Sequence, residues 1–333
     1  MRRRRTSFGY RLHKSLMDHM PAPRRRHFRV VNRKRYIVAQ CLLVAVAVTA
    51  LGLSVSVIVR SIRTLKLNES LAALHTVEAG AAPAVEIAAP SLNGASRVAV
   101  SGLKLSFMGL PDGSTIQSAV VGGVPSVLHK TTGDILPDML KLLKTNPDTV
   151  GWLTINGIVS LPVMYRDNEY YLTHDFNGHH NTSGTLFLDQ GSPITAQTQN
   201  LLIHGHSMYD GSMFGLLTHY KKLETLTKHP LIRFSTLWEE ETYVVFAVLY
   251  VDPNAFDYYS HPGFASNAAF EAYIASVRDR SLYDIPIDFK PTDALLTLST
   301  CIDDARLVVL ARKARPGETK DELVSAVEES LRT

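Results

Sequence analysis

Cys301 follows the apolar and β-branched run Leu295-Leu296-Thr297-Leu298-Ser299-Thr300, and Arg306 opens a second run, Leu307-Val308-Val309-Leu310-Ala311. Both runs have the composition of strands. Side chains alternate along a strand, so Thr297, Ser299 and Cys301 share one face. A cysteine at a strand end is held firmly and still meets solvent. Upstream, Asn200-Leu201-Leu202-Ile203 is a second short strand that runs into His204-Gly205-His206. A thiolate is a strong nucleophile, and an imidazole moves protons near neutral pH. An arginine is permanently charged and can hydrogen-bond a carbonyl or an oxyanion. Cys301, His206 and Arg306 meeting in one cleft would perform acyl transfer, with His204 in its wall. For Arg306 the plainer reading is a surface ion pair with Asp303 or Asp304. His204, His206 and Cys301 would alternatively hold zinc as a His-x-His site.

These residues need a scaffold and a location. The chain has 333 residues, 45% of them hydrophobic and 20% charged, which fits a globular domain with a membrane attachment. A net charge of +4 hides an asymmetry. Arginines and lysines crowd residues 1–35, where Asp18 is the only acid, and the remainder is acidic on balance. The basic bank has no aromatic interleaving, so nucleic-acid binding is not expected. Residues 36–59 carry no charge and are long enough to cross a bilayer core of about 30 Å as a helix. The positive-inside rule then places residues 1–35 in the cytoplasm and the bulk of the chain outside the cell membrane. A cleaved signal peptide fits less well, because the apolar run is too long for its core and no small-x-small cleavage site closes it. There are two cysteines: Cys41 lies in the span and Cys301 in the exported part, so no disulfide joins them.

Residues 60–133 read as an extracellular spacer. A helix continues to about Thr76, and scattered short structure follows in a stretch rich in Ala, Gly, Ser, Pro and Val. Residues 134–315 form the expected catalytic domain and 316–333 a C-terminal helix. The domain opens on an amphipathic helix with Pro137 in its first turn. Two strands then flank Asn156-Gly157, a strong hairpin dipeptide. Further strands are expected at 170–173, 184–189, 201–206, 232–235, 242–251, 295–300 and 307–311. A helix over 265–278 interrupts them. His174, His179 and His180 crowd a polar loop with Asp175, but their spacing matches no zinc pattern and they read as solvated. Many short strands with one inserted helix point to a mixed barrel or closed sheet.

Several ordered motifs resemble the sortases, and class B in particular. They are Thr297-Leu298-Ser299-Thr300-Cys301 with Arg306-Leu307-Val308-Val309, residues 200–208, and Asp210-Gly211-Ser212-Met213-Phe214. Asn146-Pro147-Asp148-Thr149-Val150-Gly151-Trp152-Leu153, Asp167-Asn168, Tyr171-Leu172 and residues 184–189 match in the same order. The likeness covers residues 134–313. It implies a mainly β fold: an eight-stranded barrel with an N-terminal helix and a helix before the last strands. The implied enzyme is a membrane-bound cysteine transpeptidase of a Gram-positive bacterium. Cys301 would attack a threonine carbonyl in the C-terminal sorting signal of a secreted protein. His206 would move the protons, Arg306 would position the substrate and stabilise the oxyanion, and Ser299 would line the cleft. A peptidoglycan precursor or a pilin amine would resolve the thioester. No cofactor is implied. Two departures stand out. The connection from Cys301 to Arg306 is shorter than usual in that class, and His204 replaces a tyrosine. Two other readings remain: a membrane-anchored cysteine peptidase without transfer, and a non-enzymatic surface-binding module.

Overall fold

The computed structural model describes residues 33–76, four strands within 97–131, and 135–330 except 196 and 303. Residues 1–32 of the basic tail and 77–96 of the spacer lie outside the described residues. The chain divides into two units, Met1–Ile58 and Val59–Thr333. In the first, helix α1 (Arg33–Thr76) begins. It is the one helix among the described residues long and apolar enough to cross a membrane. Its final turns belong to the second unit. There Leu71 and Thr64 are buried, Thr64 accepts a hydrogen bond from Asn181 at 3.1 Å, and His75 stacks on Trp152 with ring centroids 4.5 Å apart.

The stretch read as scattered structure holds an antiparallel meander: β1 (Arg97–Val100), β2 (Leu103–Gly109), β3 (Thr115–Val121) and β4 (Val124–Thr131), paired in that order. Helix α2 (Pro137–Thr145) follows, burying Met139, Leu142 and Leu143. Three such side chains on one face give the helix far more stability than its nine residues would have alone, at about 1.5–3 kcal/mol each.

Eight further strands form a closed barrel, in the order β10 (Glu240–Val251), β12 (Ala305–Lys313), β11 (Leu295–Ile302), β8 (Asn200–His204), β7 (Leu186–Leu188), β6 (Val159–Met164), β5 (Thr149–Ile155) and β9 (Leu231–Thr236). Strands β5 (Thr149–Ile155) and β6 (Val159–Met164) form the hairpin expected around Asn156-Gly157, and Gly157 sits at φ 71°. A left-handed turn position is cheap only for glycine. Then come β7 (Leu186–Leu188), β8 (Asn200–His204), the short helix α3 (Leu223–Lys228), β9 (Leu231–Thr236) and β10 (Glu240–Val251). Helix α4 (Asn267–Asp279) lies in the connection to β11 (Leu295–Ile302). Ser266 caps it by accepting from the Ala269 N–H, and Phe270, Tyr273, Ile274 and Val277 face the core. Strand β12 (Ala305–Lys313) and helix α5 (Lys320–Ser330) complete the chain. Most neighbouring strands are antiparallel, but β8 and β11 run parallel, as do β6 and β7. Both β11 and β12 are buried almost throughout, with Leu298, Val309 and Leu310 fully so.

One expected strand is absent. Tyr170–Leu172 is a 3-10 helix. The Asp167 carboxylate accepts from the backbone N–H groups of Glu169 and Tyr170 at 2.9 and 2.7 Å, which turns the chain before any extended segment forms. The strand expected over 184–189 shortens to three residues, because Gly184 bends the backbone at φ 59°.

Candidate active site

Strands β8 and β11 lie side by side in parallel register, with Ser299 opposite His204. Two residues further on, each strand delivers a candidate catalytic side chain to the same end of the barrel: Cys301 from β11 and His206 from the turn after β8. The crossing is tied by two bonds. Gly205 N–H donates to the Ser299 carbonyl at 3.2 Å, and the Thr300 hydroxyl donates to the Gly205 carbonyl at 2.7 Å. On the other side of β11, Cys301 pairs in register with Arg306 of β12, and the hairpin closes directly beyond them at Ile302 and Ala305. Cys301 is exposed and free. A cleft of about 370 Å³ is lined by Cys301, His206, Arg306, Ser299 and His204.

Each wall group has a defined partner. Ser299 is buried, and its hydroxyl lies 2.9 Å from that of Tyr258. Burial pushes the Tyr258 phenol up. Ser299 and the neighbouring Arg306 guanidinium oppose that push without cancelling it, so the hydroxyl stays protonated. His204 Nε2 meets Asp189 Oδ2 at 3.0 Å, and Asn168 donates to the same oxygen at 2.8 Å. Partial burial pushes the Asp189 carboxyl up, but bonds from His204, the Gly191 N–H and Asn168 outweigh it and hold the group below its ordinary range. It is therefore ionised in the folded protein near neutral pH. His206 Nε2 lies 2.8 Å from the Leu172 carbonyl oxygen.

One ring nitrogen of His204 is committed to Asp189 and one of His206 to a backbone carbonyl. Among the described residues, no three His, Cys, Asp or Glu side chains converge to hold a metal ion. In the polar loop His174 stacks on Tyr170, and His179 approaches Asp175 at 3.7 Å.

A family model described as the sortase domain matches residues 158–314. The sortase B of Listeria monocytogenes is 33% identical over 171 residues, covering 51% of this chain and 69% of that protein. The chain belongs to the sortase family. The sortase B of Staphylococcus aureus is 26% identical over 193 residues, covering 56% of this chain and 78% of that protein. Among solved structures, a Bacillus anthracis protein described as similar to sortase B superposes with a TM-score of 0.52 at 30% identity, over 57% of this chain and 88% of that one. A Staphylococcus aureus sortase B solved with its substrate superposes with a TM-score of 0.51 at 26% identity, over 55% of this chain and 87% of that one. This sortase is thus a class B cysteine transpeptidase with the eight-stranded barrel.

The barrel brings all five expected site residues of the sortase to one cleft. It also adds groups that the strand pattern did not mark. Tyr258 reaches Ser299 across 41 positions of sequence from the long β10–α4 connection. Asp189, next after β7, was read only as the end of a strand. The Leu172 carbonyl comes from the 3-10 segment that was read as extended, and Asn168 from the turn just before it.

Proposed function

We propose that this sortase is held in the cell membrane by α1, with residues 1–35 in the cytoplasm and the barrel outside. There it cleaves the C-terminal sorting signal of secreted proteins. Cys301 attacks the carbonyl of the scissile threonine, the C–N bond breaks, and a thioester forms. His206 takes the thiol proton and passes it to the leaving amine. An amine of a cell-wall precursor or a pilin then gives a proton to His206 and attacks the thioester, restoring the thiol. Arg306 hydrogen-bonds the carbonyl oxygen as it becomes an oxyanion. Ser299 and His204 line the path of the sorting signal.

The observation that carries this reading is the double register of β11: in step with β8 on one side and paired Cys301 to Arg306 on the other. That arrangement supplies nucleophile, proton carrier and oxyanion donor within one cleft. The test uses the full chain in detergent with a fluorescent sorting peptide and a peptide amine. A thioester adduct at Cys301 and a ligated product are expected in mass spectra. Cleavage without any amine incorporation would reduce the activity to that of a peptidase. No thioester at all, with the thiol unreactive toward a vinyl sulfone, would leave only a binding module.

A further inference from the structure

We infer that His206 is a Nε2–H tautomer fixed by the Leu172 carbonyl, that Nδ1 is the nitrogen that moves the catalytic proton, and that Tyr171 is the positioning residue behind it. The inference rests on His206 being the proton carrier. A backbone carbonyl has lone pairs and no hydrogen, so it can only accept. With Nε2 2.8 Å from that oxygen, the ring must carry its proton there. In the neutral ring the other nitrogen is then the base. Among the described residues Nδ1 has no hydrogen-bond partner, and the ring lines the cleft with Cys301. Nδ1 therefore receives the thiol proton and hands it to the leaving amine, while the Nε2–H stays in place through both half-reactions.

A carbonyl orients a ring only if the carbonyl itself cannot move. Leu172 belongs to a single 3-10 turn, an element with little stability of its own. Its neighbour Tyr171 supplies the anchorage. The Tyr171 ring is 1% exposed. Its hydroxyl donates to Asp148 Oδ2 at 2.8 Å and accepts from Asn146 Nδ2 at 3.0 Å, and both partners are buried. Asn146 in turn holds the Phe176 carbonyl at 2.7 Å. The Tyr171 backbone carbonyl accepts from Thr185 N–H at 2.9 Å. Gly184 makes that approach possible, since a Cβ there would sit 2.3 Å from the Tyr171 oxygen. Burial, reinforced by the Asp148 charge, pushes the phenol far above its ordinary range, so it remains a donor at every working pH. The turn is therefore pinned by a side chain on one side and by its backbone on the other, and the carbonyl between them faces His206.

The test is nitrogen NMR on the full chain in detergent, with 15N-labelled histidine. His206→Gln identifies the His206 signals. The neutral ring is expected to show its proton on Nε2. A proton on Nδ1, or an even mixture of the two tautomers, overturns the inference. This readout is taken on the parent protein and needs no turnover. In parallel, Tyr171→Phe is expected to lower kcat by about 10- to 100-fold with KM nearly unchanged, and to mix the His206 tautomers. Unchanged kcat and an unchanged tautomer overturn the role of Tyr171. Full activity in His206→Gln would instead sink the catalytic reading of His206, an outcome distinguishable from either result above.

Discussion

Cys301 and Arg306 are directly opposed residues of an antiparallel pair, one step from the turn that joins β11 to β12. Opposed residues project from the same face of a sheet with Cα atoms about 4.5–5.5 Å apart. Arg306 is therefore tied to Cys301 by backbone pairing of the two strands. The short connection that departs from the class pattern has a structural consequence: little chain is left between the two residues to flex.

If Arg306 supplies a fork-shaped donor to the oxyanion, its shape matters as well as its charge. Arg306→Lys keeps the charge and loses the fork. The expected outcome is a fall in kcat/KM of about 10²–10³ with the fold intact, measured by peptide cleavage alongside circular dichroism. Cys301→Ala should leave no thioester detectable by mass spectrometry.

Asp189 should couple cleft geometry to acid stability. Its carboxyl is depressed in the folded protein, so it contributes stability above the ordinary carboxylate value of about 3.9, and that contribution disappears as pH falls through the lower folded value. Asp189→Asn is expected to lower Tm at pH 7, with the gap from the parent closing in strong acid. It should also raise KM for the sorting peptide, because His204 loses the partner that holds its ring against the cleft wall. Tm curves from pH 2 to 8 together with steady-state kinetics check both.

Asp148 has the opposite sign. Burial dominates and raises its carboxyl above the ordinary range, despite the Tyr171 hydroxyl and the Arg166 charge. A raised folded value means stability is complete below the unfolded pKa and is lost as pH rises through the folded one. Asp148→Asn keeps an acceptor for Tyr171 and removes the buried charge. The variant should match or exceed the parent Tm at neutral pH, lose any advantage in acid, and keep its turnover. A lower Tm at pH 7 would show that the charge itself is needed.

Far from the cleft, Arg312 is 1% exposed and makes a double contact to Glu318, at 2.9 and 3.0 Å. Glu318→Ala strands that buried charge. Unfolding in urea should report a loss of about 3–5 kcal/mol. Initial rates at low temperature should stay at the parent level, because neither residue lines the cleft.

Strand alternation was readable wherever one face of a strand is buried. Residues 295–311 showed their apolar pattern openly, as did the Asn156-Gly157 hairpin and the periodic face of α4. The 3-10 segment was not readable, because aromatic and β-branched residues at 170–173 carry a strand signal that the Asp167 carboxylate overrides by capping the turn. Tyr258 and Asp189 were likewise silent. Neither belongs to a periodic pattern, and each acquires its role from a partner brought to it by the barrel: Ser299 for one and His204 for the other.

The candidate chemistry and the helix apolar and long enough to cross a membrane were written locally. A thiol and an arginine at the edges of two apolar runs, a histidine after a third, and an uncharged helix-length stretch can each be read from a few neighbouring residues. The tertiary fold decided the register that sets Ser299 beside His204, and with it the meeting of Cys301 and His206, the partner of each ring nitrogen, and the anchoring of Leu172 through Tyr171. Those depend on which strands pair and in what phase, and pairing energy comes from burial summed over the closed barrel rather than from any single segment.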